Sequence, residues 1–256
     1  MKVVLTIAGS DSSGGAGIQA DLKSFEAFGV FGASAITVLT AQNTLGVQKI
    51  HPLPASFVAE QIRSVTADFD VAAVKIGMLH STPIIETVAA FVETLDIPVV
   101  LDPVCVSKAG SNLLEDDALS SLRELSRMAT LTTPNLHEAY RLFGYLSGES
   151  DSLDALIAHP SPVLIKNHIV GSLSADLLYF GRSKRIFTDD LIPSTDLHGT
   201  GCSYASAIAA SLALGNSLEE SIVRAKRFIT EAIRRAPHIG HGPGPINHKA
   251  GAPHAS

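Results

Sequence analysis

Apolar runs recur along the chain, and segments with helical periodicity separate them. The runs predict strands at residues 3–8, 34–39, 72–76, 97–101, 129–133, 162–166, 175–180 and 185–188. The early runs are continuous rather than alternating, which is typical of strands that are buried on both faces of a sheet. Because strands and helices alternate, the pattern predicts an α/β fold with a mainly parallel, doubly wound sheet.

Two segments carry clear helix signals. Between Gly17 and Gly29 apolar residues recur at helical spacing, and the second glycine predicts the end of that helix. The segment "SLEESIVRAKRFITEAIRR" opens with Ser217 and Glu220 at the spacing of a capping box. Its acidic residues come first and its arginines last, in agreement with the helix dipole. We therefore expect a long amphipathic helix near the C-terminus.

The chain has 256 residues and a formal net charge of −6, and its charges are scattered. This length fits one domain over residues 1–256 with a loose tail at about 249–256. The charges form no basic face, so we expect no nucleic-acid partner. The uncharged residues 27–48 include glycines and amides, so we expect buried elements and no membrane partner. Cys105 and Cys202 form no CxxC pair and no signal-peptide pattern is present, which predicts free thiols in the cytoplasm.

The predicted strands end in short polar segments, which read "GSD", "TAQN", "IGM", "DPV", "TPN" and "KNH". In a parallel sheet the carboxyl ends of the strands lie at one edge, and ligands bind in the crevice there. A turn needs polar residues in any case, so one such segment is weak evidence. The whole set predicts a single binding site.

The segment "AGSDSSGGAGIQADLK", residues 8–23, allows three interpretations. A Walker A loop is excluded because Gly15 and Ala16 stand where lysine and serine or threonine are required. A dinucleotide fingerprint is disfavoured because residues 27–59 contain no acidic residue to hold a ribose. The third interpretation is a substrate cradle, in which glycines allow close approach and Asp21 accepts hydrogen bonds from the ligand. The alternative for Asp21 is a solvated helix carboxylate.

A second glycine turn, "HGTGCS", leads into an apolar helix of small residues. The backbone amides of Gly199, Thr200, Gly201 and Cys202 would be unpaired at this helix N-terminus and would form an anion hole. The same position would lower the pKa of the Cys202 thiol, so that the thiol could act as a base toward a substrate hydroxyl. The alternative is that Cys202 is a small buried apolar residue.

Six ordered motifs carry a resemblance that covers about residues 3–248. "AGSDSSGGAGIQADLK", "TAQNT.GV", "KIGML", "LDPV..SKAG", "TPNLHEA" and "HGTGCS" resemble those of the hydroxymethylpyrimidine (phosphate) kinases of thiamine biosynthesis. These enzymes belong to the ribokinase-like superfamily, together with the related pyridoxal kinases. The resemblance implies a ribokinase-like three-layer α/β/α fold and a homodimer. It also implies phosphorylation of 4-amino-5-hydroxymethyl-2-methylpyrimidine and of its monophosphate by ATP with Mg²⁺.

The resemblance also implies a set of site residues. The acceptor substrate would contact Gly9, Asp21, Gln42, Met78 and Val104, and ATP would contact Lys166, Asn135, Glu138 and Gly242, with Gly244 in the same loop. Asp102 and Glu138 would organise Mg²⁺, in part through water. Cys202 occupies the place of the catalytic aspartate of related sugar kinases, which implies that it is the base. Without the resemblance, Asn135 and Glu138 indicate only a helix N-terminus.

The chain departs from the family pattern in two places. Relatives follow the lysine with Gly-Gly-His, whereas this chain has Lys166-Asn167-His168, which puts the backbone of the nucleotide loop in doubt. Cys105 stands where many relatives have methionine, and we interpret it as a packing residue. Scattered histidines lack the spacing of a zinc site. A pyridoxal or pyridoxine kinase is the alternative function, and a non-catalytic binder of pyrimidine or vitamin B6 is a more distant one.

Overall fold

The strands of the computed structural model join one nine-stranded sheet. The structure describes residues 1–106, 110 and 112–252. The strands are β1 Val3–Asp11, β2 Phe31–Asn43, β3 Gly46–Pro52, β4 Val71–Ile76, β5 Val99–Leu101, β6 Leu131–Thr132, β7 Val163–Val170, β8 Leu173–Phe180 and β9 Ser183–Asp190. Residues 107–109, in the "SKAG" motif, and 253–256 of the expected tail lie outside the described residues.

The central part of the sheet is parallel. The strand order is β3-β2-β1-β4-β5-β6-β7-β8-β9, and every neighbouring pair from β2 to β7 is parallel. Strand β3 at one edge and β8 and β9 at the other are antiparallel to their neighbours. The prediction of a mainly parallel sheet is therefore confirmed.

Helices cover both faces of this sheet. They are α1 Gly17–Ala27, α2 Ala55–Thr66, α3 Thr82–Val92, α4 Leu119–Met128, α5 Leu136–Phe143, α6 Asp154–Ile157, α7 Thr200–Ala213, α8 Leu218–Arg234 and α9 His248–Gly251. Strand residues alternate between the two faces. On β1, Leu5 and Ile7 pack toward α2–α6, whereas Val4 packs toward α1, α7 and α8. The three-layer α/β/α architecture is thus confirmed.

The hydrophobic pattern misses strand β3. Its sequence "GVQKIHP" is polar because the strand lies at the sheet edge and is exposed along most of its length. Strand β2 likewise extends beyond the predicted 34–39. Its last residues pair with β3 at the edge of the sheet and carry no buried apolar pattern. An apolar pattern reports burial, so it loses a strand that is held mainly by backbone hydrogen bonds.

The C-terminal part of the chain is more ordered than the sequence predicts. The capping box of α8 is present, because Ser217 and Glu220 exchange both hydrogen bonds. The first residues of the segment expected as a tail, from residue 249, belong to α9, which packs against α8. Among the described residues, no helix combines the length and apolar character that crossing a membrane requires.

Candidate active site

One cavity of about 620 Å³ lies at the carboxyl ends of the parallel strands. Each of the polar strand ends contributes at least one lining residue, which confirms that they share one site. Among the lining residues are Gly9, Gln42, Met78, Asp102, Val104, Asn135, Glu138, Lys166 and the segment 199–202. The structure therefore brings most of the predicted site residues together.

The glycine-rich loop after β1 is organised around its own carboxylate. Asp11 accepts hydrogen bonds from the amides of Ser13, Gly15 and Ala16, at 2.8, 3.2 and 2.8 Å, and pairs with His198 Nε2 at 2.8 Å. Burial alone would raise the pKa of Asp11, but the bonds from His198, Ser13 and Ala16 lower it to about 2. Because these amides are already used, this loop does not present a phosphate site.

The acceptor end of the cavity combines an amide with apolar side chains. Gly9, Met78 and Val104 line it, and Met78 is almost fully buried. The Gln42 side chain lies beside Thr40 Oγ1 at 3.2 Å and His198 Nε2 at 3.4 Å. The Ser12 hydroxyl donates to the backbone C=O of Gln42 and accepts from the backbone N–H of Gln42. The loop after β1 thus fixes where the amide of Gln42 stands.

Asp21 does not line this cavity, so the expected contact with the acceptor ring is corrected. Its side chain is fully buried, and its carboxylate accepts from Lys75 Nζ at 2.8 Å through both oxygens. Thr6 Oγ1 and Ser206 Oγ each donate to it at 2.7 Å. The carboxylate is therefore an internal counter-ion for a lysine that does line the cavity.

Lys75 is a site residue that the sequence reasoning missed. It is fully buried inside "VAAVKI", an otherwise apolar strand. A buried lysine requires a partner, so its place in this strand was a signal. Burial would lower the pKa of Lys75, but the negative charge of Asp21 raises it above its ordinary value. The lysine therefore carries a positive charge at the cavity wall.

The start of α7 presents backbone amides to the cavity. Gly199 caps the helix with φ of 80°, a conformation that glycine adopts without strain. The amide of Thr200 donates to Leu197 O at 3.2 Å, so this member of the predicted anion hole is already engaged. Within the described residues, the amides of Gly199, Gly201 and Cys202 have no protein acceptor. These three groups form the candidate anion hole.

Cys202 is partly accessible and lines the cavity, and several neighbouring groups act on the pKa of its thiol in opposite directions. Burial raises the pKa of Cys202 to about 11, although the positive charge of Lys75 and a hydrogen bond from Gly17 lower it. Asp21 and Asp102 raise it further. Desolvation of the thiolate is the largest of these effects, and the lowering expected from the start of the helix acts against it.

Asp102, Lys166 and Glu138 form a second charged group. Lys166 Nζ donates to Asp102 Oδ1 at 2.7 Å, and all three side chains are buried at the cavity wall. Burial raises the pKa of Glu138, and Asp102 adds to this effect while Lys166 opposes it. Two carboxylates in one pocket suit a hard cation with oxygen ligands, and Mg²⁺ needs few direct protein ligands. The residues present therefore fit Mg²⁺.

Asn135 and Glu138 also have a structural role. Asn135 Oδ1 accepts from the amide of Glu138 at 3.0 Å, and Glu138 Oε2 accepts from the amide of Asn135 at 2.9 Å. This capping box starts α5 and fixes both side chains at the cavity. The alternative of a helix N-terminus and the site role are therefore compatible.

The backbone directly after Lys166, within β7, adopts a conformation that glycine would also allow. Asn167 has φ of 71°, in the left-handed region that asparagine tolerates better than most residues. Its amide donates to Asp176 Oδ1 at 3.3 Å. Asp176 Oδ2 accepts from Tyr204 at 2.9 Å and from Lys226 at 2.8 Å. This buried network lines the far end of the cavity and was not predicted from the sequence.

Gly242 and Gly244 do not line the cavity themselves, but Gly244 O accepts from the amide of His198, which does, at 3.0 Å. The amide of Gly242 donates to Thr44 Oγ1 at 3.1 Å, and the amide of Gly244 donates to Asp196 Oδ1 at 2.8 Å. The expected ATP contact of Gly242 stays a prediction, since Gly242 lies beside the cavity rather than in its lining. This segment supports the segment before α7, since Pro245 bridges to His198.

Cys105 is fully buried, and its Sγ lies 3.3 Å from Pro103 O. Burial raises the pKa of this thiol to about 12. It packs in the core beneath the helices α2–α6, as the sequence interpretation expected.

Comparison with known proteins agrees with this geometry. The family model of phosphomethylpyrimidine kinase matches residues 11–247. The thiamine biosynthesis bifunctional protein ThiED of Geobacter sulfurreducens is 47% identical over 96% of this chain and 52% of its own length, so this chain spans about half of that relative. A hydroxymethylpyrimidine/phosphomethylpyrimidine kinase of Mycobacterium bovis is 46% identical over 95% of this chain and 92% of its own.

Solved structures show the same fold. The ADP complex of Bacillus subtilis pyridoxal kinase has a TM-score of 0.87 and 34% identity, and the match covers 98% of each chain. A phosphomethylpyrimidine kinase from Clostridium difficile has a TM-score of 0.78 and 38% identity, covering 91% of this chain and all of the other. The ribokinase-like fold is thereby confirmed, and the chain belongs to the phosphomethylpyrimidine kinase family.

Proposed function

We propose that the chain transfers the γ-phosphoryl group of ATP to the hydroxymethyl group of 4-amino-5-hydroxymethyl-2-methylpyrimidine, and then phosphorylates the monophosphate to the diphosphate. The observation that carries this proposal is one cavity that joins Gln42 and Met78 to the start of α7 and to Lys166. The relatives are kinases of hydroxymethylpyrimidine and its phosphate, which supports the same substrate pair.

The acceptor end fits an aminopyrimidine. The amide of Gln42 offers a donor and an acceptor, which match the exocyclic amine and a ring nitrogen. Gly9 leaves room for the ring, and Met78 and Val104 offer apolar surface to its faces. Asp21 lies behind this surface, where it pairs with Lys75.

In the first transfer, Cys202 is the base: its sulfur accepts the proton of the acceptor hydroxyl in the thiolate form, which Lys75 and the amide of Gly17 favour against burial. The acceptor oxygen forms a bond to the γ-phosphorus, and the bond from that phosphorus to the bridging oxygen breaks, so that its electron pair leaves with ADP. The amides of Gly199, Gly201 and Cys202 stabilise the charge on the transferring group, and Lys166 contacts the nucleotide phosphates. In the second transfer the attacking phosphate oxygen is already ionised, so it needs no base.

Asp102 and Glu138 would hold Mg²⁺, in part through water molecules. When bound, the ion neutralises the charge of the nucleotide phosphates. Lys166 orients Asp102 from the other side of the site, since the two side chains pair at 2.7 Å. Asn135 fixes Glu138 through the capping box.

A pyridoxal or pyridoxine kinase is the second candidate function. The observation in its favour is the TM-score of 0.87 to pyridoxal kinases at 32–34% identity. Pyridoxal and the pyrimidine are both small aromatic heterocycles with a hydroxymethyl arm. The amide of Gln42 beside Met78 favours the aminopyrimidine, since it pairs with the exocyclic amine.

The decisive experiment measures ATP turnover with the hydroxymethylpyrimidine, its monophosphate and pyridoxal. We expect kcat/KM to be highest with the two pyrimidines. An equal or higher value with pyridoxal would favour the second candidate. Tight binding of these heterocycles without ATP consumption would indicate a non-catalytic binder and would overturn the proposal.

The assembly and the compartment are part of this proposal. We infer a homodimer, which exposed apolar side chains at the β2 and β3 edge support, Leu39 and Leu45 among them. Light scattering at micromolar concentration tests it. The free thiols of Cys105 and Cys202 support a reducing compartment, the cytoplasm.

A further inference from the structure

Lys75 lies beneath the face of α7 that carries Cys202. Cys202 and Ser206 are four residues apart on this helix, so they share one face. Ser206 Oγ and Lys75 Nζ both donate to Asp21 Oδ1, at 2.7 and 2.8 Å. The shared carboxylate therefore fixes the ammonium group next to the first turns of α7, and Lys75 and Cys202 line the same cavity.

The site is built to hold this ammonium group in one place. Asp21 contacts it with both oxygens, and Thr6 and Ser206 complete the hydrogen bonds of that carboxylate. A side chain at Gly77 would place its Cβ 2.8 Å from Lys75 Nζ, so glycine at this position leaves the space that the lysine occupies. A buried ion pair is weak evidence for stability, and its position at the cavity wall calls for another explanation.

We propose that Lys75 is a positioning residue for phosphoryl transfer: its ammonium group, fixed by Asp21, supplies the positive charge that faces Cys202. This inference rests on the proposed function. The proton of the acceptor hydroxyl passes to the Cys202 sulfur, and a positive charge beside the sulfur increases the fraction of thiolate that can accept it. Lys75 does not touch the reacting atoms and acts through Cys202.

The charges around the thiol determine the sign of the effect. Lys75 on β4 and Lys166 on β7 favour the thiolate, whereas Asp21 on α1 and Asp102 after β5 disfavour it, and the thiol pKa reflects these charges together. The amide of Gly17 also favours the thiolate. Removal of Lys75 should therefore raise the pKa of Cys202, and removal of Asp21 should raise it too, because Lys75 then loses its charge and Lys75 has the larger effect on the thiol. A purely structural pair predicts no shift in either variant.

The test is the pH dependence of iodoacetamide alkylation in the protein without substrates, assigned to Cys202 by peptide mass spectrometry. We expect Lys75→Met to move the midpoint up by about one pH unit, which slows alkylation about tenfold below the midpoint. We expect Asp21→Asn, which removes the group that keeps Lys75 charged and in place, to move the midpoint up as well. Lys226→Met, which removes another buried lysine paired with an aspartate at 2.8 Å, is the matched control and should leave the profile unchanged.

Midpoints that coincide with the wild type in the folded variants would overturn the inference. If Lys75→Met does not fold, the direction of the Asp21→Asn shift decides alone. The kinetic counterpart is a lower kcat for Lys75→Met, with an alkaline-shifted pH profile and little change in the KM of either substrate. Because alkylation needs no turnover, a failure of the proposed function would leave the alkylation result interpretable.

Discussion

Two buried lysine–aspartate pairs flank the start of α7. Lys75 pairs with Asp21 on the acceptor side, and Lys166 pairs with Asp102 on the side expected for the nucleotide. Each pair is buried, so its charges are weakly screened and act strongly on groups in the cavity. The helix amides lie between two fixed positive charges, and phosphoryl transfer depends on such positioning of charge.

The variant Cys202→Ala tests the thiol as base, because it removes the side chain and keeps the backbone amide of the anion hole. We expect kcat with the hydroxymethylpyrimidine to fall by about 10²–10⁴, the range for loss of a general base, with little change in substrate affinity. The loss should be much smaller with the monophosphate, because its attacking oxygen is already ionised. Steady-state kinetics with both acceptors measures this, and Cys105→Ala in the core is the control. Near-normal kcat with the alcohol would show that the thiol is not the base.

Gln42→Ala tests the acceptor contact. We expect weaker pyrimidine binding by roughly 1–3 kcal/mol, about 5- to 150-fold in Kd, because a polar group of the ligand would lose its partner. Calorimetric titration measures the affinity. Gln48→Ala removes an exposed amide that bonds only near its own strand, and it should bind normally. Equal affinity of Gln42→Ala and wild type would place the ring elsewhere in the cavity.

At the scale of elements, the loop after β1 and the start of α7 support each other. Gly199 has φ of 80°, and a Cβ there would lie 1.8 Å from Gly15 O. Gly15 belongs to the loop that Asp11 organises, and Asp11 also pairs with His198 just before Gly199. The geometry of the anion hole therefore depends on a segment almost two hundred residues earlier in the chain.

Gly199→Ala tests this contact against backbone strain. Its control is Gly215→Ala, because Gly215 has φ of 89° and open space around its Cβ position. The control should lose about 1–2 kcal/mol of unfolding free energy from the left-handed conformation alone. Gly199→Ala should lose more, and kcat should fall as well, which denaturation and turnover assays measure. Equal losses and normal turnover in both variants would contradict the dependence of the anion hole on the loop.

Local patterns in the sequence predict some elements and not others. Buried strands and the capping box of α8 follow from apolar runs and cap spacing, which depend on nearby residues. The edge strand β3 is held by pairing with β2, and its residues carry no apolar pattern. At the site, the strand ends predicted the cavity, but they did not predict that Asp21 turns inward to pair with Lys75, a residue 54 positions away in the sequence. Such a pairing appears only when the fold brings both residues together.

At the scale of the whole molecule, the C-terminal segment links the end of the chain to the anion hole. His248 Nε2 lies 2.8 Å from Ser203 Oγ, and Ser203 Oγ donates to Gly199 O. Since the serine proton is used by Gly199, the histidine must donate through Nε2. Burial lowers the pKa of His248 to about 4, and the positive charge of Lys23 adds to this effect. The last helix is therefore held by a neutral histidine.

This arrangement predicts a loss of stability in acid. An unfolded histidine titrates near 6.5, so the unfolded chain binds a proton between about pH 6.5 and 4 that the native chain excludes. Stability should be unaffected by His248 above pH 6.5 and should fall by about 2 kcal/mol from pH 7.5 to pH 5 on its account. His248→Gln can still donate to Ser203 but does not titrate, so denaturant unfolding should show a smaller loss. His51→Gln, on the exposed β3, should retain the wild-type loss, and an equal loss in all three proteins would show that His248 is not the group responsible.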